Sequence, residues 1–484
     1  MILTDLERCW LITFLFMNKN PTFIGTDTCY PLANGKQSQR IHLDGAASPL
    51  VMQAAQDAVN ELLPHYSNSH SQSHASACLC SDAFNWSIQT ILQITGASSN
   101  KDYICAVMGS GTTAWINNIA RRIAKQSEKN GLVLVSALEH HANDLPHREH
   151  FDVEHFSLTD EDSQLGDIDL STLEETLKYQ TNKGKKIHYI AFSAVSNVTG
   201  IVAPSKEITA LAHQYGALSL VDCAQMAAHM PLNIAETNAD FVVFSGHKVY
   251  AGAAPGVLIA KQSLLKQFPS VEMGGGIVDH VGYRDIEFSS NYPARELPGT
   301  KNILGTFALA TVFRQLDQIG FHTIQHHSES LWKYAFKQLN TLGKQVKIYG
   351  HSQSPRIGAL SFNLIDIDHG LVAAILSDYF GIAVRNECFC AHPYVSSLLK
   401  EELWSLDLSG IPDEQHQEYI NRKRGMLRAS FSLYNSKKDI DSLIIALTAI
   451  IDNIQSFQKN YTVEADGNYQ HQEFKINAEK YLNL

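Results

Sequence analysis

Apolar runs separated by helical segments recur from about residue 100 to residue 260, and this rhythm restricts the fold more than any other feature of the chain. The runs are Tyr103–Met108, Leu132–Ser136, Ile187–Ser193, Ala217–Val221, Asp240–Phe244 and Gly256–Ala260. Strands alternating with helices predict an α/β fold, with a mostly parallel sheet covered by helices on both faces. In such sheets ligands sit beyond the carboxyl ends of the strands. Clusters of polar residues follow these runs, so a site is expected along that edge.

The chain has 484 residues, too many for one ordinary core, and two domains of ~100–250 residues each are expected. Residues 1–40 read as an N-terminal extension and irregular arm, and 41–310 as a large ligand-binding domain. A smaller C-terminal α/β domain is expected over 311–455, with strands near Gly358–Leu364, Ile382–Arg385 and Leu427–Leu433. One long helical pattern runs from about 303 to 343. Residues 270–300, rich in Gly, Asp and Pro, read as a loop over the site, and 456–484 as a polar tail with no assigned role.

A net charge of −11, from 38 Lys+Arg against 49 Asp+Glu, argues against a nucleic-acid partner. Eight cysteines, at 9, 29, 78, 80, 105, 223, 388 and 390, are too scattered for a disulfide framework. Reduced thiols in a cytoplasmic protein are the expectation. The apolar stretch Cys9–Met17 follows Asp5, Glu7 and Arg8 rather than a basic segment, and it falls short of the ~20 residues of a membrane span. It reads as an extension with Met17 as an alternative start, and no membrane association is expected.

Ser245-Gly246-His247-Lys248 closes the run that ends at Phe244. A lysine just past a buried strand can form a Schiff base with a carbonyl, and desolvation keeps its amine nucleophilic. Upstream, Leu218–Val221 ends in Asp222-Cys223-Ala224-Gln225. Lysine and aspartate at neighbouring strand ends suit pyridoxal 5'-phosphate (PLP): one holds the aldehyde, the other keeps the pyridine nitrogen protonated. Gly109-Ser110-Gly111-Thr112-Thr113 follows a strand and opens a helix, which suits the phosphate. Glu139-His140-His141 ends another strand, with a ring-stacking imidazole as one role for His140 and a structural role favoured for His141. Asn197 occupies a turn on the same edge.

Arg428 lies in an alternating strand, and arginine grips a carboxylate in bidentate fashion. The loop Arg385-Asn386-Glu387-Cys388-Phe389-Cys390-Ala391-His392-Pro393 is ambiguous by itself. Its cysteines are structural, or one is a thiol activated by Arg385. No recognised ligand spacing connects the histidines and cysteines, so no metal is expected.

Taken together, these blocks resemble the class V aminotransferase family of PLP enzymes, in particular the group II cysteine desulfurases and selenocysteine lyases. The likeness runs from about Leu43 to Leu443. It implies the fold type I of PLP-dependent transferases: a large domain with a mostly parallel sheet of the seven-stranded type, plus a smaller C-terminal α/β domain. It also implies that Lys248 is the Schiff-base lysine and proton carrier, that Asp222 pairs with the pyridine nitrogen, that Gln225 lies near the ring hydroxyl, and that His140 stacks on the ring. Thr112, Thr113, Ser245 and His247 match phosphate-binding positions. Thr300 matches the residue that reaches the phosphate from the other subunit, which implies a homodimer. Asn197 and Arg428 match positions that hold the substrate carboxylate, and Arg385 is counted with them.

Cys390-Ala391-His392-Pro393 satisfies the Cys-Ala-x-Pro loop of group II desulfurases, with Cys390 as the persulfide nucleophile. Phe389 and Cys388, however, stand where that group usually has histidines, and the Cys-Phe-Cys string looks like the loop of molybdenum cofactor sulfurases. The turn Asp44-Gly45-Ala46-Ala47 is also altered. The leading expectation is removal of sulfur from L-cysteine to give alanine and an enzyme persulfide, discharged to an acceptor protein or small thiol. The alternatives are a class V aminotransferase, epimerase or β-lyase on another amino acid, in which both loop cysteines are dispensable, and a non-catalytic PLP-binding or partner-binding protein. Whether Cys388 relays sulfur to Cys390 is open at this level.

Overall fold

In the computed structural model, seven strands form the main sheet: β1 (Tyr103–Met108), β2 (Leu132–Ser136), β3 (Asp152–Phe156), β4 (Ile187–Ser193), β5 (Leu218–Asp222), β6 (Phe241–Ser245) and β7 (Gly256–Lys261). The structure describes residues 21–127, 131–161, 164–350, 354–409, 411–412, 416–464 and 467–482, so the apolar stretch at 9–17 lies outside it. Strand order is β1-β7-β6-β5-β4-β2-β3. All neighbours run parallel except β7, which is antiparallel to both β1 and β6. The sheet is therefore mostly parallel, as the alternation predicts. Strands buried on both faces read as continuous apolar runs, and β2, β4 and β6 are buried at every position.

Strand β3 was not among the expected runs. It sits at the sheet edge with only Phe156 buried, and its sequence, Asp-Val-Glu-His-Phe, carries the charges that blunt an edge. Register places Asp222 beside Ser193 and Ser245 beside Gly256, which in turn faces Met108. The ends of β1, β4, β5 and β6 are thereby gathered along one edge.

Helices α1 (Gln53–Leu62) and α2 (Ala75–Ile94) precede the sheet, and α3 (Gly111–Gln126) follows β1. The helical pattern expected as one piece over 303–343 is two helices, α4 (Ile303–Ile319) and α5 (Phe321–Asn340). Gly320, at φ 90°, takes the turn between them. Helix α4 packs on α1 and α2, and α5 packs on the last long helix, so this glycine carries the chain from one core to the other.

The second core is built on an antiparallel sheet of β8 (Val346–Ile348), β9 (Ala359–Leu364) and β10 (Leu427–Ser430), with α5, α6 (His369–Phe380) and α7 (Lys437–Gln458). Helix α7 is long and apolar enough to cross a membrane. Its Ile440, Leu443, Ala446, Leu447 and Ile450 are buried against this core instead. Ile382–Ala383 pairs with Ile41–His42, which ties the start of the large domain to the C-terminal part.

Two expected segments take more definite form. Tyr461–Val463 pairs antiparallel with Tyr469–His471 against α6, with Tyr461 Oη donating to Asp378 (3.0 Å) and Tyr379 paired with His471 (2.9 Å). Residues 278–288 make a hairpin, and among the described residues nothing from 270–300 lines the central cleft of its own chain.

That segment is anchored by a buried ion pair. Arg122 of α3 bonds Glu296 and receives support from Asn118 Oδ1 (3.1 Å), with 1% of the arginine side chain and 3% of the glutamate side chain exposed. Truncating one partner leaves the other charge buried and alone, a cost of ~3–5 kcal/mol. Glu296→Ala is accordingly expected to lose about that much stability in denaturant unfolding, whereas Arg122→Met with Glu296→Leu recovers most of it. A single mutant with wild-type stability would contradict this.

Candidate active site

A cleft of about 290 Å³ opens where the sheet edge meets the second core, lined by residues that follow β1, β2, β4 and β6, by Arg428 of β10 and by the cysteine loop. An adjoining cavity of about 30 Å³ continues down to Asp222 and Gln225 and shares Thr112, His140, Asn197 and Lys248 with it. Thr113, Ser245, His247, Arg385, Cys390 and Arg428 line the upper part. The structure thus brings together every site residue expected from sequence except Thr300. That residue is exposed and lies outside the cleft of its own chain.

The phosphate end is built on the start of α3. Its N-cap residue, Ser110, makes no side-chain capping bond, and Ser110, Thr112 and Thr113 line the cleft. Thr112 N–H donates to Ser245 Oγ (2.9 Å), which fixes the turn against β6. Gly111 is required there. It has φ +67°, and an added Cβ would stand 2.4 Å from Ser245 Oγ.

At the other end Asp222 is buried, and its Oδ1 accepts from Ala224 N–H (2.8 Å). Burial pushes its pKa up, while the Ala224 amide and the Lys248 charge pull it down. A protonated ring nitrogen placed before it would supply the cation that such a carboxylate lacks. Lys248 follows β6 in a single tight turn over Gly246–Lys248. Burial holds its ammonium pKa below the ordinary value, partly offset by Asp222. Gln225 Nε2 donates to Ala46 O (2.7 Å). An anion-ready helix start, a buried amine and a buried carboxylate on one floor fit the chemistry of PLP.

His140 accepts from Ala142 N–H at Nδ1 (3.0 Å), which puts its proton on Nε2. Burial, then the charges of Lys248, His141 and Arg428, push its pKa down to about 4, so the ring is neutral at physiological pH. Beneath it Glu139 is buried and clasps two strand ends. It bonds Ser136 Oγ at the end of β2, and Ser193 N–H (2.7 Å) and Oγ (2.6 Å) at the end of β4. Asn143 Nδ2 adds a further bond (2.6 Å). Glu139 was not singled out in the sequence, where it reads as one more polar residue after a strand.

Asn197 is positioned by a turn that closes on Gly200, whose φ is +73° and whose Cβ would lie 2.1 Å from Ile357 O. Ser361 Oγ donates to Val198 O (2.6 Å), so this turn docks on β9. Arg428 is buried. Its Nη1 donates to Asn197 O (2.8 Å) and its Nη2 to Asp44 Oδ1 (3.2 Å). Nε is buried without a hydrogen-bond partner among the described residues. Arg385 pairs its backbone with Arg428 in both directions (3.1 and 2.7 Å).

The cysteine loop curls over these residues in a strained path. Glu387, Phe389 and Cys390 have φ of 84°, 53° and 54°. Non-glycine residues there cost on the order of 1–3 kcal/mol each and persist only where the surroundings hold them. Cys390 is exposed to the cleft, whereas Cys388 is buried and donates Sγ–H to Arg424 O (3.0 Å). Burial pushes the Cys388 thiol up to about 11. Two histidines tie into the backbone of the loop around the thiol. His141 N–H donates to Cys390 O (2.7 Å), and His141 Nε2 accepts from His392 N–H (3.3 Å).

Residues 41–443 match the model of the aminotransferase class-V family. A probable cysteine desulfurase of Halalkalibacterium halodurans is 33% identical over 414 residues, covering 84% of this chain and 92% of the relative. A probable cysteine desulfurase of Staphylococcus aureus is 31% identical over 422 residues, covering 86% and 92%. Among solved structures, a cysteine desulfurase from Thermococcus onnurineus is similar with a TM-score of 0.73 at 26% identity, over 85% of this chain and 95% of that one. A cysteine desulfurase from Escherichia coli, in an S-sulfonic acid form, gives 0.69 at 25% identity over the same shares. With its match extending over most of its length, the chain belongs to the aminotransferase class-V family of PLP-dependent enzymes.

Proposed function

We propose that this protein is a cysteine desulfurase, taking sulfur from L-cysteine to leave alanine and a persulfide on Cys390. The observation that carries the reading is the exposure of Cys390 in the same cleft as Lys248, Asn197 and Arg428. The desulfurase names of its relatives support it.

The cofactor's phosphate would be held by the α3 start with Thr112, Thr113, Ser245 and His247, and its ring by Asp222, Gln225 and His140. When bound through Lys248, PLP supplies an electron sink that labilises the bonds of the substrate's α- and β-carbons. Arg428 and Asn197 bind the substrate carboxylate, with Arg385 at the rim. Lys248, its pKa lowered by burial, moves the proton at the substrate α-carbon. The Cys390 thiolate attacks the substrate sulfur. An S–S bond forms as the Cβ–S bond breaks, and the carbon takes up a proton to become alanine. An acceptor protein or small thiol then removes the sulfur.

Cys388, buried and with its thiol pushed up to about 11, serves packing rather than relay. Residues 41–310 carry the cofactor and 311–455 the thiol and the arginine. A homodimer in which Thr300 serves the partner's phosphate is supported by its exposed position and by exposed Met273, Val281, Tyr283 and Ile286 on the same segment. The free state of all the described cysteines suits a cytoplasmic setting.

Alanine and sulfide release from L-cysteine with a reductant present tests the reading. Cys390→Ser is expected to lose at least ~100-fold in rate with the cofactor absorbance intact, and Cys388→Ser to stay within about threefold of wild type. Equal alanine release by Cys390→Ser and wild type would exclude sulfur transfer through that thiol. Borohydride treatment is expected to fix the cofactor covalently on the peptide containing Lys248. Recovery of the cofactor elsewhere, or from Lys248→Ala, would refute the assignment of that lysine.

A further inference from the structure

We propose that Phe389 is a positioning residue that sets the Cys390 thiol in register with the carboxylate end of the substrate. The inference rests on the desulfurase reading and deepens it.

The strained loop has to be held; His141 N–H fixes the Cys390 carbonyl (2.7 Å), and the contacts with the substrate-binding residues converge on Phe389. Its carbonyl accepts from Asn197 Nδ2 (2.8 Å), and its ring lies 4.7 Å from the Arg428 guanidinium carbon. Further along, Met426 N–H donates to Glu387 O (3.0 Å) and Ala391 N–H to Cys388 O (2.8 Å). Phe389 is buried while its neighbour Cys390 is exposed, so residue 389 is the anchor and residue 390 the projecting group.

Asn197 and Arg428 are also the residues that take the substrate carboxylate, and each keeps capacity for it. The Asn197 amide nitrogen has a second hydrogen, and Arg428 Nε is buried without a partner among the described residues. Arg428 is itself fixed to Asn197 O and Asp44. Thiol loop and substrate therefore hang from one rigid pair, and the distance between them is set by that pair. Histidine at position 389 would bring a titratable ring. Phenylalanine brings no proton, but its face meets the guanidinium.

The test uses holoenzyme and three readouts: affinity for L-alanine from the cofactor absorbance, first-turnover alanine formation from L-cysteine, and hydrogen–deuterium exchange over 388–391. Phe389→Leu keeps an apolar side chain but removes the ring face. It is expected to slow the first turnover roughly tenfold, bind L-alanine within about threefold of wild type, and exchange faster in the loop. Phe389→Tyr, which keeps the face, is expected to restore the rate to within about twofold.

A wild-type first turnover in Phe389→Leu would overturn the proposal. So would a parallel loss of rate and alanine affinity, which would mean that the ring only shapes the pocket. Failure of the wild type itself to form alanine would sink the desulfurase reading. The exchange data would then decide the anchor separately, with faster exchange in Phe389→Leu upholding it and unchanged exchange overturning it.

Discussion

The buried guanidinium of Arg428 is the joint on which the site depends. It leaves strand β10 of the second core and reaches Asp44 in the turn ahead of α1, Asn197 after β4 of the main sheet, and the ring of Phe389 in the cysteine loop. Four distant stretches of chain thus meet at one side chain. An arginine suits this task because its planar fork offers donors in several directions at once and stays charged when buried. The charge is offset by Asp44 (3.2 Å), while Nε is left for a ligand. A carboxylate arriving there would complete a partly satisfied buried cation, which is a strong reason for affinity.

Around that joint the parallel sheet does the remaining work. Parallel strands deliver their carboxyl ends to one edge, so the anion-binding turn, Glu139 with His140, Asn197, Asp222 and Lys248 arrive side by side without special folding. Glu139 then locks the ends of β2 and β4 together from below. The cysteine loop comes from the other core, and it is the part under strain. A rigid floor and a strained, tethered thiol are a sensible division of labour: the cofactor must not move, whereas sulfur has to be collected and then passed on.

Much of this was legible in the sequence, and the reason is local. Lys248, Asp222, Asn197 and Thr112 each sit within a few residues of a buried apolar run, so strand and polar end can be read together. Arg428 was visible for the same reason. What escaped depends on contacts between remote segments. Phe389 looks like an apolar filler until its carbonyl is found on Asn197, 192 positions away. His141 and His392 read as separate polar residues, although His392 N–H donates to the His141 ring and His141 N–H to Cys390 O. Strand β3 was hidden by its edge charges, the break at Gly320 by the helical pattern on either side of it, and the pairing of Tyr461–Val463 with Tyr469–His471 by their polar composition. Thr300 was read as serving the partner's site, and it lies outside the cleft of its own chain.

The most direct measurement of the central claim is to treat holoenzyme with one equivalent of L-cysteine labelled at sulfur and map the label by peptide mass spectrometry. The account predicts one labelled persulfide, on Cys390, formed together with one equivalent of alanine. Label on Cys388, or alanine formed with no label on either thiol, would contradict it.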